Sequence, residues 1–256
     1  MSSNPLQKQT KINQAILSWP KGAVQTSSFL NGKEFSRSLL NFYTKSGWLE
    51  LFEHSAYILK NDNIEWTGVV YGLQQNGVPL IHPGGKTSLF LQGYAHFISS
   101  ELKTVYLFAP ERAKLPLWVI KHKWNLSFEF YPTSLFTAEN NAGLTEYSTG
   151  AFSIKISSPE RAAMEMLHLL PFKQSFEEAL QIMENLTTLR PKILQPLLEN
   201  CSSVKVKRLF LYMAEYHKHP WFKKLDLSSV DLGKGKREIV KNGTLDSKYL
   251  ITVARQ

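Results

Sequence analysis

The chain has 256 residues, of which 43% are hydrophobic and 20% charged, and this balance is typical of a globular protein and unlike a disordered one. No apolar run approaches the ~18 residues that a membrane-spanning helix needs. The amino terminus also lacks the apolar core of a secretory signal. The single cysteine, Cys201, excludes an intrachain disulfide, and we expect it to be a small buried side chain in a cytoplasmic protein.

The net charge of +9 is concentrated near the carboxyl end, where residues 201–256 hold twelve Lys and Arg against five Asp and Glu. Such an excess suits phosphate contacts with nucleic acid, and it also suits docking to an acidic protein or RNA partner. A solvated basic surface without a ligand is a third possibility that composition leaves open.

The first 62 residues predict three helices followed by a hairpin. Lys8–Leu17 has helical apolar spacing, and a second helix is expected around Thr26–Asn31 before a turn at Gly32. The third helix opens at Ser36, a good N-cap residue, and stops before Gly47, a good residue for the position after the C-cap.

A small wing is predicted next. The segments Trp48–Leu51 and Ala56–Leu59 alternate as strands around a Glu53-His54-Ser55 turn. Three helices and a hairpin in this order predict a winged helix-turn-helix. The turn has no Lys or Arg, so it offers little for a phosphate or minor-groove contact.

The third predicted helix divides into a polar and an apolar face at ~100° per residue. The polar face carries Arg37, Ser38, Asn41 and Lys45, and the opposite face carries Leu39, Leu40 and Tyr43. A helix with its back in the core and a polar front suits the major groove of DNA. A solvated surface helix has the same pattern, and winged helices also serve as protein-docking modules, so these alternatives stay open.

The rest of the chain predicts a mixed α/β domain after the polar turn at residues 61–63. Helices are expected at Trp66–Gln75, Lys86–Ile98, from Ser158 to before Pro171, and at Phe176–Leu189, Pro191–Glu199 and Val204–His217. Strands are expected at Val105–Phe108, Leu126–Tyr131, Thr145–Ser148 and Phe152–Ile156, with a terminal hairpin around Asn242-Gly243. We therefore predict an α+β protein with a winged domain at 1–62 and a second domain at 63–256.

No motif in the sequence predicts catalysis, a cofactor or a metal site. The string Gly84-Gly85-Lys86-Thr87-Ser88 lacks the first glycine of a phosphate-binding loop, so a helix start at a structural glycine turn is the better interpretation. The histidines show no metal-ligand spacing, and Cys201 has no second thiol. A nucleic-acid-processing enzyme ranks last among the candidate functions because no nucleophile elbow or carboxylate–lysine set is present.

Five blocks spread over nearly the whole chain resemble the AbiEi antitoxins, the transcriptional regulators of type IV, or abortive-infection, toxin–antitoxin systems. These blocks are KINQAILSWPKGAV (11–24), SRSLLNFYTKSGWL (36–49), GGKTSLFLQGYAHFI (84–98), SSPERAAMEMLHLLP (157–171) and GKGKREIVKNGTLDSKYLITV (233–253). At the wing tip the chain departs from the family pattern, in which a basic residue often stands between glycines.

The resemblance implies a non-enzymatic autorepressor without a cofactor or a membrane partner. Its winged domain would bind inverted repeats in double-stranded DNA of its own promoter, and its second domain would counter a cognate nucleotidyltransferase-type toxin. By position, the DNA-binding candidates are Gln25, Thr26, Ser27, Ser36, Arg37, Ser38, Asn41 and Lys45. The candidates for the antitoxin surface are Glu160, Arg161, Lys234, Lys236 and Arg237, and an internal ion pair is the alternative for Glu160 or Arg161.

Overall fold

The structure, a computed structural model, describes residues 17–75, 80–94, 102–136 and 142–254. These ranges contain both helices and strands, with a run of consecutive helices from Pro159 to Tyr216, so the predicted α+β class is confirmed. No helix in the described part combines the length and the apolar character needed to cross a bilayer. The predicted first helix, Lys8–Leu17, lies outside the described residues except for Leu17.

The secondary structure is as follows. The helices are α1 (Ser27–Gly32), α2 (Arg37–Lys45), α3 (Trp66–Gln75), α4 (Gly85–Leu91), α5 (Leu117–Ile120), α6 (Pro159–His168), α7 (Phe176–Glu184), α8 (Pro191–Asn200) and α9 (Val204–Tyr216). The strands are β1 (Gln25–Thr26), β2 (Leu49–Glu53), β3 (Ala56–Leu59), β4 (His82–Pro83), β5 (Thr104–Pro110), β6 (Ser127–Thr133), β7 (Leu144–Ser148), β8 (Ser153–Ser157), β9 (Arg237–Glu238), β10 (Thr244–Asp246) and β11 (Ile251–Val253).

The chain folds into two compact units, and neither is continuous in sequence. The first unit comprises Met1–Ile81, Lys114–Trp124 and Glu146–Ile154, and the second comprises His82–Ala113, Asn125–Thr145 and Lys155–Gln256. The first unit thus extends past residue 62 and takes two short segments from later in the chain.

In the first unit, helices α1 and α2 precede an antiparallel sheet with strand order β1-β3-β2. The short helices begin at side-chain caps: Thr26 Oγ1 accepts the Phe29 N–H at 3.3 Å, and Ser36 Oγ accepts the Leu39 N–H at 3.3 Å. Gly47 follows α2 with φ +75°, the left-handed conformation that favours glycine after a helix. The cap at Ser36 and the stop at Gly47 confirm the predicted limits of this helix.

Apolar side chains from α1, α2, the hairpin β2–β3 and the segments before α1 and α2 form the core of the first unit. Its buried members are Trp19, Ala23, Leu30, Phe35, Leu40, Tyr43, Leu49 and Tyr57. Helix α3 packs closely against the segment that leads into β1, because Gly68 and Gly72 carry no side chain where α3 faces Gly22 and Val24. The prediction of a helix at Trp66–Gln75 is confirmed.

The second unit combines a small sheet with a larger helical core. Strands β5 and β6 run parallel, β4 joins β5 antiparallel, and the order is β4-β5-β6. Helix α6 begins with Pro159 at its first position, as predicted, and lies almost entirely in the core with α7, α8 and α9. Strands β7 and β8 pair in a separate two-stranded sheet, and the bounds of the two units divide both strands, since Glu146–Ile154 is counted in the first unit.

Three predicted elements are wrong in detail. The helix expected at Phe176–Leu189 ends at Glu184, with Asn185 as its C-cap. The helix expected at Lys86–Ile98 ends at Leu91, since the chain turns at Gln92-Gly93; residues 95–98 lie outside the described ranges. The chain does turn at Asn242-Gly243, but the strands on either side do not pair with each other. Strand β11 lies between them, antiparallel to β10 and parallel to β9.

Candidate nucleic-acid interface

The exposed face of α2 carries the four residues that the sequence placed there. Arg37, Ser38, Asn41 and Lys45 are exposed, whereas Leu40 and Tyr43 on the opposite side are each 1% exposed. Among the described residues, neither Arg37 nor Lys45 belongs to an ion pair, so both cations are available to a ligand. The helix therefore presents two cations, an amide and a hydroxyl to solvent, while its opposite, apolar face is packed in the core.

The beginning of α2 is set by hydroxyl groups. Ser36 Oγ accepts the Leu39 N–H and lies 3.0 Å from Ser38 Oγ. The cap holds the first turn of the helix in place, which fixes the direction in which Arg37 leaves the backbone. Ser36 and Ser38 are exposed, so each hydroxyl keeps some capacity to bond a phosphate or a base edge.

Two of the proposed DNA-binding residues are placed in the interior instead. Gln25 is 4% exposed and Thr26 is 5% exposed, because both lie in β1 and pair with Tyr57 and Ala56 of β3. Thr26 uses its hydroxyl to cap α1. We therefore remove both from the candidate surface; Ser27, the first residue of α1, is partly exposed and stays.

The hairpin β2–β3 is held against the start of α1. The backbone N–H of Ser27 donates to the Ser55 carbonyl at 2.7 Å, and His54 turns the chain with φ +44°. The hairpin is acidic: Glu50 forms an ion pair with Lys60 at 3.1 Å, and Glu53 Oε1 lies 3.7 Å from His122 Nδ1. The hairpin itself brings no cation to the surface beside α2.

Glu160 and Arg161 do not lie on a surface, which corrects their assignment to a partner-binding face. Glu160 is 1% exposed and accepts two hydrogen bonds from the Arg190 guanidinium, at 2.9 and 3.0 Å, and one from the Arg190 backbone at 2.8 Å. Arg161 is 9% exposed and donates to Glu165 at 2.9 Å. The alternative prediction, an internal ion pair, is the correct one for both residues, because charges buried on a core helix need partners.

Glu165 is the centre of a buried polar cluster in the second unit. Its carboxylate accepts hydrogen bonds from the Ser157 hydroxyl at 2.7 Å, His82 Nε2 at 3.1 Å and the Gly85 backbone at 3.1 Å, besides Arg161. Burial alone raises the pKa of Glu165, but His82, Arg161 and Ser157 together lower it to about 2. The carboxylate is therefore ionised at neutral pH, and its hydrogen bonds all go to internal groups of the second unit.

The glycine-rich string at 84–88 is a helix start, as the sequence favoured. Gly84 is the N-cap of α4, and a Cβ there would come within 2.1 Å of Glu165 Oε2. Lys86 forms an ion pair with Glu178 at 2.9 Å. The place that an anion would take at this helix start is filled by the carboxylate of Glu165, so the string does not make a phosphate site.

The basic loop near the carboxyl end is exposed and firmly anchored. Lys234, Lys236 and Arg237 are exposed. Beneath them, Arg208 is 2% exposed and donates to the carbonyls of Leu232 at 2.8 Å, Gly235 at 2.6 Å, Gly233 at 3.1 Å and Leu250 at 3.3 Å. One buried guanidinium thus fixes the backbone that presents the basic side chains.

Cys201 behaves as expected for a small buried side chain. It is 3% exposed, and burial raises the pKa of its thiol to about 11. The thiol stays protonated at neutral pH and is a poor nucleophile.

Comparison with known proteins gives the same family over both parts of the chain. Residues 102–254 match the model of the transcriptional regulator, AbiEi antitoxin, of type IV toxin–antitoxin systems. Residues 8–100 match the model of the N-terminal domain of the same regulators. The chain belongs to the AbiEi antitoxin family. The resemblance seen in the sequence is thereby confirmed, and the regulator and antitoxin roles are those of the family.

A solved structure supports the fold of this AbiEi protein. The crystal structure of the Rv2827c protein from Mycobacterium tuberculosis superposes with a TM-score of 0.61 over 98% of this chain and 92% of that chain, at 13% sequence identity. No curated protein matches the sequence. At this identity the likeness concerns the fold alone.

Sequence reasoning missed one segment that lies against the hairpin β2–β3. The segment Lys114–Trp124 belongs to the first unit, and His122 stacks on Phe52 of β2 with ring centroids 4.4 Å apart. The only sequence signal was local: the segment contains three lysines and no acidic residue. Nothing in the spacing linked His122 to Phe52, seventy positions earlier.

Proposed function

We propose that this AbiEi protein is a DNA-binding autorepressor whose first unit carries a winged helix-turn-helix. In this proposal α1 and α2 are the two helices of the motif, α2 lies in the major groove and the hairpin β2–β3 is the wing. The carrying observation is the exposed polar face of α2 over a buried apolar back. Arg37 and Asn41 would contact base edges, and Lys45 a phosphate, as these side chains do in grooves.

The test is binding of the full chain to the duplex upstream of its own gene, compared with a scrambled duplex of equal composition. We expect selective binding by the wild type and loss of selectivity in an Arg37→Ala/Asn41→Ala double variant. The matched control is Asn31→Ala/Lys33→Ala, which removes an amide and a cation from the end of α1. Equal binding of both duplexes by the wild type would reject the proposal.

We further propose that the second unit counters a nucleotidyltransferase-type toxin, and that the loop anchored by Arg208 is part of its working surface. Exposure of Lys234 and Lys236 above a fixed backbone supports this role, since a backbone that is already ordered loses little entropy on binding. A toxin encoded beside the gene, expressed with and without this protein, provides the assay.

In that assay we expect Lys234→Ala/Lys236→Ala to reduce protection of growth while the protein stays folded and present. The matched control is Lys223→Ala/Lys224→Ala, which removes two other exposed lysines of the same basic region. Full protection by the loop variant would contradict the assignment of this loop.

Three exposed apolar side chains favour a second candidate function for the first unit, namely protein docking without DNA. Phe42, Trp48 and Leu51 are 56%, 47% and 50% exposed. Contiguous exposed apolar groups mark surfaces that bind other proteins, and these three come from α2 and from β2 with the residue before it, two elements that pack on each other. If docking is the role, Phe42→Ser/Leu51→Ser abolishes protection against the toxin, and the wild type shows no preference for its own upstream duplex.

A further inference from the structure

A short basic segment from the middle of the chain lies against the hairpin β2–β3. We define it as the basic segment, residues 114–124, KLPLWVIKHKW, which contains Lys114, Lys121 and Lys123 and no Asp or Glu. Although it follows the strand β5 of the second unit in sequence, it packs as part of the first unit. It therefore contributes to the same body as α2.

Aromatic stacking fixes the basic segment to the hairpin. The rings of Phe52 and His122 stack with centroids 4.4 Å apart and planes inclined by 27°. The Trp124 ring lies 4.3 Å from His122 and 5.8 Å from Phe52, and its Nε1 donates to the Val119 carbonyl at 3.0 Å. Such ring clusters stabilise a contact beyond the area they bury. The two lysines that flank His122 are held beside the hairpin as a consequence.

Charges are distributed unevenly between the hairpin and the basic segment. The hairpin has Glu50 and Glu53 and no Lys or Arg from residue 46 to 59. Lys121 and Lys123 are exposed, and within the described ranges neither joins an ion pair. Lys60, directly after β3, is already paired with Glu50. The two lysines that the basic segment places next to the hairpin, by contrast, form no ion pair within the part of the chain that the structure describes.

We propose that Lys121 and Lys123 bind the phosphate backbone of the duplex whose major groove holds α2. The inference rests on the proposed DNA binding and names residues outside the helix-turn-helix that take part in it. Lysine side chains on a backbone fixed against the hairpin that follows α2 suit phosphates, which carry charge but no sequence information. These contacts would add affinity for any duplex and leave base preference to α2.

The experiment measures the affinity of the full chain for its own upstream duplex over a range of salt concentrations. Each phosphate contact contributes about 0.9 to the slope of log affinity against log salt concentration. In Lys121→Gln/Lys123→Gln we expect the magnitude of the slope to fall by about 1.8 and the affinity at 0.1 M salt to drop by roughly ten- to a hundredfold. The ratio of affinities for the native and a scrambled duplex should stay as in the wild type.

Two controls separate local contacts from net charge. Lys121→Arg/Lys123→Arg keeps both charges and should keep the wild-type slope. Lys192→Gln/Lys218→Gln removes two exposed lysines of the second unit and should also leave the slope unchanged. Thermal unfolding of each variant shows whether it remains folded, which we expect because all four lysines are exposed.

The outcomes distinguish the role of the basic segment from the proposed DNA binding on which it rests. A wild type that ignores its own upstream duplex overturns both. A wild type that binds selectively, with an unchanged slope in the Gln double variant or an equal loss in the Lys192/Lys218 control, overturns only the role of the basic segment. If the Lys121→Gln/Lys123→Gln protein binds DNA as the wild type does but no longer protects against the toxin, the basic segment binds an acidic protein partner. That result also overturns its proposed role in DNA binding.

Discussion

Gly68 of α3 lies so close to Gly22 that a Cβ at position 68 would come within 1.8 Å of the Gly22 carbonyl oxygen. The obstructing atom belongs to the backbone, so no side-chain rotation relieves the overlap. The close approach lets the backbone N–H of Val24 donate to the Gly68 carbonyl at 3.2 Å. This pair of glycines therefore sets how closely α3 can pack on the segment that leads to β1.

We expect Gly68→Ala to destabilise the first unit, by about 1–3 kcal/mol or more, because overpacking moves a helix away from its partner. The measurement is urea unfolding followed by circular dichroism. Gly32→Ala is the matched control: it has nothing within 4 Å of its added Cβ and should be neutral or slightly stabilising. A Gly68→Ala protein as stable as the wild type would show that α3 is free to shift.

Arg37 and Lys45 should differ in what their removal does to DNA binding. Arg37→Ala is expected to cost about 1–3 kcal/mol on the native operator and to relax sequence preference, since arginine bonds base edges. Lys45→Ala should weaken binding to all duplexes alike and reduce the salt slope by about 1. Fluorescence anisotropy with native and mutated operators measures both. Similar behaviour of the two variants would mean that α2 does not lie in the groove as proposed.

The buried carboxylate of Glu165 predicts a pH dependence of stability. Its pKa in the folded protein is about 2, below its ordinary value of 4.5. Its contribution is therefore complete above pH 4.5 and is lost as the pH falls towards 2. Glu165→Gln should lower stability by ~3–5 kcal/mol at pH 7, because Arg161 is left buried without a countercharge.

The diagnostic measurement is the difference in unfolding free energy between wild type and Glu165→Gln as a function of pH. That difference should shrink as the pH falls through this window. Glu177→Gln, which changes an exposed carboxylate on α7, serves as the control and should show little effect at any pH. A constant difference from pH 7 to pH 2.5 would be inconsistent with a depressed pKa.

Arg208 should determine whether the exposed loop above it stays ordered. Arg208→Met leaves the carbonyls of Leu232, Gly233 and Gly235 without their buried donor, and each unsatisfied group costs about 1–3 kcal/mol. We expect faster trypsin cleavage at Lys234 and Lys236 and a lower unfolding free energy. Arg208→Lys should be intermediate, because an ammonium cannot span the carbonyls as a guanidinium does.

Arg237→Met is the matched control for this experiment, since it removes an exposed neighbouring arginine. It should leave both the trypsin cleavage rate and the stability near wild type. Unchanged cleavage of the Arg208→Met protein would mean that the loop is held by other contacts.

The features that the sequence predicted correctly are those set by neighbouring residues. Ser36 and Gly47 limit α2 through a cap and a left-handed glycine, and both effects depend on neighbouring residues only. The spacing of Leu40 and Tyr43 placed the apolar face of the helix correctly. The strands of the hairpin followed from alternation in the same way. These features depend on residues within a few positions of one another.

Pairing between distant segments accounts for what sequence could not predict. Gln25 is polar and next to a helix start, yet β3 covers it. Glu160 is a charged residue of a type usually found on surfaces, but it is buried and paired with Arg190, which lies thirty positions further along the chain. The turn at Asn242-Gly243 is typical of a hairpin, and only the position of β11 between β9 and β10 changes the pairing. None of these partners can be deduced from composition or period.

The stacking of His122 on Phe52 has a practical consequence for dissecting the protein. The residues that cover this part of the hairpin are encoded after the first stretch of the second unit, so no single cut in the gene yields the complete amino-terminal body. A recombinant fragment ending at residue 81 would expose Phe52 to water and lack Lys121 and Lys123. Weak DNA affinity of such a fragment would then reflect missing pieces of its own fold.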